Sequence, residues 1–150
     1  MRAFALSALP DEPWRNGGGR TRTIATQMRD STTLAAYTDH EPPWDWRISV
    51  STLERSGPFS AFPGVDRSSL LLGAGQIELS AIGETTLRMQ HPGDAVAYRG
   101  DPVWTATVNR DGPPLSLFNV MTRRGAAQAR MKAWRDDFSL TAPLMTVLVI

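Results

Sequence analysis

Three short stretches hold the side chains that could bind or react. In Trp14-Arg15-Asn16-Gly17-Gly18-Gly19-Arg20-Thr21-Arg22, three consecutive glycines sit among arginines. Glycine admits positive φ and close approach to a ligand, so the amides of Gly17 and Gly18 could line an anion nest, with Arg15 and Arg22 supplying charge. The Gly-Lys-Ser/Thr of a phosphate loop and the GxGxxG of a dinucleotide site are both missing, and the plainer reading is a flexible turn entering a strand over 21–28. In Asp45-Trp46-Arg47-Ile48-Ser49-Val50 the residue types alternate, so Arg47 and Ser49 share one strand face and Trp46, Ile48 and Val50 the other. If the polar face meets water, Arg47 is surface decoration. If it faces a barrel interior, the guanidinium needs an acidic partner or an anionic ligand, and periodicity leaves both open. The third stretch, 57–67, sets Phe59 and Phe62 between Pro58 and Pro63. Such a stiff loop loses little entropy when it presents residues at a cavity mouth. Phe59 could equally plug a barrel end while Asp66 and Arg67 pair locally.

Other chemistries find less material. The two histidines, His40 and His91, are not at His-x-His spacing and have no acid placed to complete a metal triad, so no metal and no cofactor is expected. Neither histidine has a serine and an acid at triad spacing, no Gly-x-Ser-x-Gly elbow occurs, and there is no cysteine. Asp94 and Asp101 could act as general acid or base if buried together, although an aspartate after glycine is more often a turn residue. The net charge of +1 argues against a nucleic-acid binder. Its basic side is 15 Arg and a single Lys132, and arginine offers carboxylates a bidentate fork. The longest apolar-looking run, 144–150, is far short of the roughly 20 residues that span a bilayer. No signal-peptide pattern is present, so a soluble, cytoplasmic protein without membrane association is expected.

The elements that must position these residues read as strands. Turn-forming Gly, Pro, Asn and Asp recur about every ten residues from Asn16-Gly17 to Pro113-Pro114, and between them apolar residues keep a period of two, as in Ile77, Leu79 and Ala81. About ten short antiparallel strands in one 150-residue domain are predicted, closed as a barrel or stacked as a jelly roll. One strand face is expected to be core and the other polar. Residues 126–134 alternate strictly and predict an edge strand despite their helix-forming composition. The run 144–150 reads as a buried terminal strand.

Taken together, WRNGGGRTRTIA (14–25), WDWRISVSTLERSGPFSAFPGVDRSSLLL (44–72), AYRGD (97–101) and LFNVMTRRG (117–125) resemble the HutD/Ves family of cupins, over residues 10 to about 135. The resemblance implies an all-β, cupin-type jelly-roll barrel without the superfamily's metal-binding histidines. It also implies a non-catalytic role in histidine utilisation, in which a pathway intermediate such as urocanate or formylglutamate is sensed. Carried over by position, it singles out Trp14, Arg15, Asn16, Gly17, Gly18, Arg47, Ser49, Phe59, Phe62, Asp66, Arg67, Arg99, Gly100, Asp101, Asn119 and Arg123. Two family acids are replaced, by Thr23 and Leu117, which makes the expected cup more cationic. The family normally continues through further strands, so an incomplete second barrel or an edge open to a homodimer partner is expected. The leading expectation is a carboxylate clamp of Arg47 and Arg15, with Gly17, Gly18 and Ser49 beside it. Asn16 and Asn119 serve as neutral hydrogen bonders, Arg67 adds charge, and Phe59 closes the apolar side. The alternatives are an isomerase or lyase using Asp101 as base, and a stress-related interaction protein.

Overall fold

The computed structural model describes residues 5–29 and 42–134. After a 3-10 turn, Leu6–Ala8, come ten strands: β1 (Glu12–Pro13), β2 (Gly19–Met28), β3 (Trp44–Leu53), β4 (Gly57–Pro58), β5 (Val65–Leu71), β6 (Gln76–Ser80), β7 (Leu87–Met89), β8 (Ala95–Arg99), β9 (Thr105–Asn109) and β10 (Leu115–Arg123). Most of the turn-forming residues fall between them, as the spacing predicts, but Gly57 and Pro58 pair with β9 as β4, and Gly19 opens β2.

Two antiparallel sheets result, one in the order β1-β2-β3-β10-β5-β8 and the other in the order β4-β9-β6-β7. Leu53, Leu71, Leu115 and Leu117 of the larger sheet meet Ile77, Leu79, Met89 and Ala106 of the smaller one in the main core, joined by Phe59 and Trp104. These residues alternate along their strands, which puts each of them on the inner face. The larger sheet is also covered on its outer side. There Ile48, Val50, Leu70 and Phe118 form a second cluster, over which Leu6 and Met131 pack. The expectation of one buried and one polar face is therefore too simple for β3. From Ile48 to Ser51 every residue is buried, because the serine face lines the interior and the aliphatic face lies beneath the chain's own flanking segments.

A second correction concerns residues 126–134, which form no strand. Gly125, at φ +83°, turns the chain out of β10, and the amides of Ala126 and Ala127 both donate to the carbonyl of Arg123. Alternation in that stretch places Met131 against the outer cluster without any ladder to join. The expected strand 144–150 and His40 lie outside the described residues.

Candidate functional site

Cross-strand register decides which side chains meet inside the fold. Glu12, Thr21, Ser51 and Leu117 are successive partners across β1, β2, β3 and β10. One step along the strands, Thr23, Ser49, Asn119 and Ser69 form the next inward row. Beyond it, Arg47, Met121, Arg67 and Tyr98 form a third across β3, β10, β5 and β8. All of these residues except Thr23, Ser69 and Tyr98 line a cavity of about 540 Å³ between the sheets, walled also by Trp14, Phe59 and Phe62.

Arg47 and Arg67 thus flank Met121 at the base of one cup. The Arg47 guanidinium lies 5.4 Å from the Trp44 ring centre and 5.9 Å from that of Phe62, and its Nη2 reaches the Met121 sulfur at 3.5 Å. Arg67 is enclosed by the rings of Phe59, Phe62 and Tyr98 at 5.2, 5.6 and 5.2 Å, and its Nη1 donates to the Ser60 carbonyl at 3.1 Å. The Nε of each arginine has no hydrogen-bond partner, and among the described residues no carboxylate lies within 4 Å of either guanidinium. Burial lowers the pKa of Arg47, the charge of Arg67 lowers it further, and Glu12 opposes both. Burial likewise lowers that of Arg67, with Tyr98 opposing. Arginine does not give up its proton in proteins, so the base of the cup carries two cations held by π faces, with no carboxylate in contact among the described residues.

Below the cup runs a chain of hydrogen bonds across five strands. Ser69 Oγ donates to Asn119 Oδ1 at 2.7 Å, which leaves the Tyr98 hydroxyl to donate to Ser69 at 3.0 Å. Asn119 Nδ2 donates to Ser51 Oγ at 3.2 Å and to the Leu117 carbonyl at 3.1 Å. Ser51 meets the Thr21 hydroxyl at 2.9 Å, and Trp14 Nε1 donates to Thr21 at 2.7 Å. These buried polar groups satisfy one another, which fixes the floor's side-chain orientations before any ligand arrives.

The residues expected at the site separate into three groups. Arg47, Ser49, Phe59, Arg67 and Asn119 come together around the cavity, while Arg15 and Asn16 lie exposed at its mouth. Asn16 is already engaged, its Oδ1 accepting from the Gly18 amide at 2.9 Å and its Nδ2 donating to the Pro58 carbonyl at 3.0 Å, so it ties the glycine turn to β4. Gly17 and Gly18 are not brought to the cavity, and their amides are spent on Trp14 and Asn16. Arg22 pairs outside the cup with Asp11. The local Asp66–Arg67 pair does not form: Asp66 binds Arg124 instead. Asp101 also lies off the cavity lining. Two hydrogen bonds from Arg124, at 2.6 and 2.8 Å, and one from the Gly64 amide, at 3.1 Å, hold its carboxyl far below the usual range. His91 sits beside Asp94 on an exposed turn. Sequence reading did not single out Glu12, Ser51, Ser69 or Tyr98. Each occupies an inward position of its strand, but only the register tells which inward positions share a row.

Two facing antiparallel sheets around a polar cup define a cupin-type, double-stranded β-helix protein. Ectoine synthase from P. lautus supports the fold alone, at 10% identity and a TM-score of 0.56 over 96% of this chain and all of that one. The sequence profile of HutD matches residues 6–150, and the chain belongs to the HutD family. Protein Ves of Citrobacter koseri is 31% identical over 141 residues, 93% of this chain and 66% of the relative. HutD from Pseudomonas fluorescens SBW25 is 27% identical with a TM-score of 0.62, over 79% of this chain and 58% of that one. A conserved protein of unknown function from Pseudomonas aeruginosa PAO1 is 26% identical with a TM-score of 0.63, over 79% and 55%. The chain thus spans somewhat under two thirds of the length of these relatives.

Proposed function

We propose that the cup binds a small carboxylate-bearing metabolite and that the protein acts as a sensor of that metabolite in histidine utilisation, without catalysing a reaction. The observation that carries this reading is the pair of guanidiniums, Arg47 half-buried and Arg67 buried, that face one cavity with no acid paired to either among the described residues. A carboxylate would supply the missing acceptor through charge-assisted hydrogen bonds, each contributing about 1.5–3 kcal/mol. The volume of about 540 Å³ is within the usual range for small-molecule pockets. Arg47, reached from the mouth and only half-buried, is the principal anion partner. Arg67 holds the Phe59–Phe62 wall through Ser60 and adds field. This division replaces the Arg47–Arg15 clamp read from sequence, with Arg15 left at the rim. Positions 23 and 117, where the family tends to carry acids, both lie on inward rows, so Thr23 and Leu117 leave the arginines unneutralised.

Urocanate and formylglutamate are the first ligands to test, as the family resemblance implies. A ligand at a hundred times its Kd stabilises a fold by about 2.7 kcal/mol, which raises the melting temperature of a domain this size by roughly 5–10 °C. Arg47→Ala abolishes that shift, whereas Arg88→Ala, whose arginine pairs with Glu78 on the exposed strand pair β6–β7, keeps it. A wild-type melting temperature unmoved by millimolar urocanate and formylglutamate overturns the choice of ligands.

A further inference from the structure

We propose that the cup selects a carboxylate that carries a basic nitrogen at its far end, and that Glu12 receives this nitrogen. The inference rests on the carboxylate reading of Arg47 and adds a second pole to it. Among the described residues, Glu12 is the single acid lining the cavity. Its direction follows from register: it is paired with Thr21, whose hydroxyl meets that of Ser51 inside the fold, so the Glu12 side chain rises on the same concave side. Its carboxylate holds no hydrogen bond or ion pair among the described residues, unlike neighbouring Asp11, which binds both Arg20 and Arg22 outside the cup. The rim also bears Arg15, at the tip of the β1–β2 turn, and the charge of Glu12 raises the pKa of Arg47 against the larger effect of burial.

The cavity is therefore dipolar, with cations at its base and one carboxylate on the β1 side. β1 lies two strands from β3, and Arg47 lies four residues from the Glu12 row, so the two Cα atoms are on the order of 16 Å apart. The two side chains, reaching inward, leave room for a ligand of a few bonds between its charged ends. An acid with an amino or azole nitrogen at that distance satisfies both poles. A dicarboxylate of equal length sets its second charge against Glu12.

The test is a calorimetric titration of three five-carbon probes, 5-aminovalerate, glutarate and valerate, into the wild-type protein, Glu12→Gln and Arg47→Ala. Wild type binds 5-aminovalerate more tightly than glutarate. Glu12→Gln weakens 5-aminovalerate and strengthens glutarate, each by roughly two- to fivefold, the scale of a partly exposed ion pair, and leaves valerate unchanged. Arg47→Ala weakens all three probes. Equal wild-type affinities with no change of order in Glu12→Gln overturn the role of Glu12 while the carboxylate reading stands. Absence of binding by all three probes in wild type overturns the carboxylate reading itself. Glu12 is exposed on a two-residue edge strand, so its replacement leaves the core intact.

Discussion

Arg67 is 7% exposed, and around its guanidinium stand three aromatic rings and one carbonyl. Arg124 also lies between elements, but it faces Asp66 and Asp101. The difference separates a cation enclosed by rings, with no acid in contact among the described residues, from one that fastens the fold. Asp101 joins the loop after β8 to the end of β10 through Arg124, and to the turn before β5 through the Gly64 amide. Its folded-state pKa lies below the unfolded value of about 3.9, so the pairing stabilises the fold above that pH and is lost as pH falls through the folded value. Asp101→Asn accordingly lowers the melting temperature at pH 7, and its gap to wild type narrows below about pH 4. Melting curves from pH 7 to pH 2 check this, and a pH-independent gap would remove the carboxylate's charge from the explanation. Arg47 and Asp101 were both visible as candidates in the sequence. What each of them faces was not, since apart from Trp44 beside Arg47 it depends on residues distant in the sequence, such as Met121 for Arg47 and Arg124 for Asp101.

At the scale of elements, β10 shows what alternation can and cannot predict. Leu117 and Phe118 are adjacent and point to opposite sides, yet both are buried, one in the core between the sheets and the other in the outer cluster. Leu117→Ala is expected to cost about 2–5 kcal/mol and Phe118→Ala about 3–5 kcal/mol in denaturant unfolding. A sheet with one wet face would show only one such loss. Gly19 opens β2 where a Cβ would stand 2.4 Å from the Thr52 carbonyl and 3.2 Å from Trp14. Gly19→Ala forces backbone apart at the β2–β3 pairing and is expected to cost about 1–3 kcal/mol. Gly57→Ala, where a Cβ meets nothing within 4 Å, is the matched control, and equal melting temperatures for the two would show that the β2–β3 contact yields freely. Residues 126–134 illustrate the converse: strict alternation without a partner strand produced no strand, because a ladder needs a neighbour as well as a pattern.

For the molecule as a whole, the all-β class and about ten strands were legible because turn residues and period-two runs are local, and local geometry needs nothing distant to act. The family was legible because several motifs recur in order, and the HutD profile and the Ves relatives bear it out. Candidate membership of the site was legible in part: Arg47, Ser49, Phe59, Arg67 and Asn119 converge, while Gly17 and Gly18 turn to their own loop. Among the described residues no helix is long and apolar enough to cross a membrane. The sequence by itself determined strand pattern, turn positions and an excess of arginine among the motifs. Tertiary structure alone decided that the serine face of β3 is an interior, that Arg67 rather than Arg15 stands beside Arg47, and that Glu12 lines the same cavity. The physical reason is register: a strand specifies which of its residues share a face, but only pairing with other strands sets which faces meet and which charges are left without a partner.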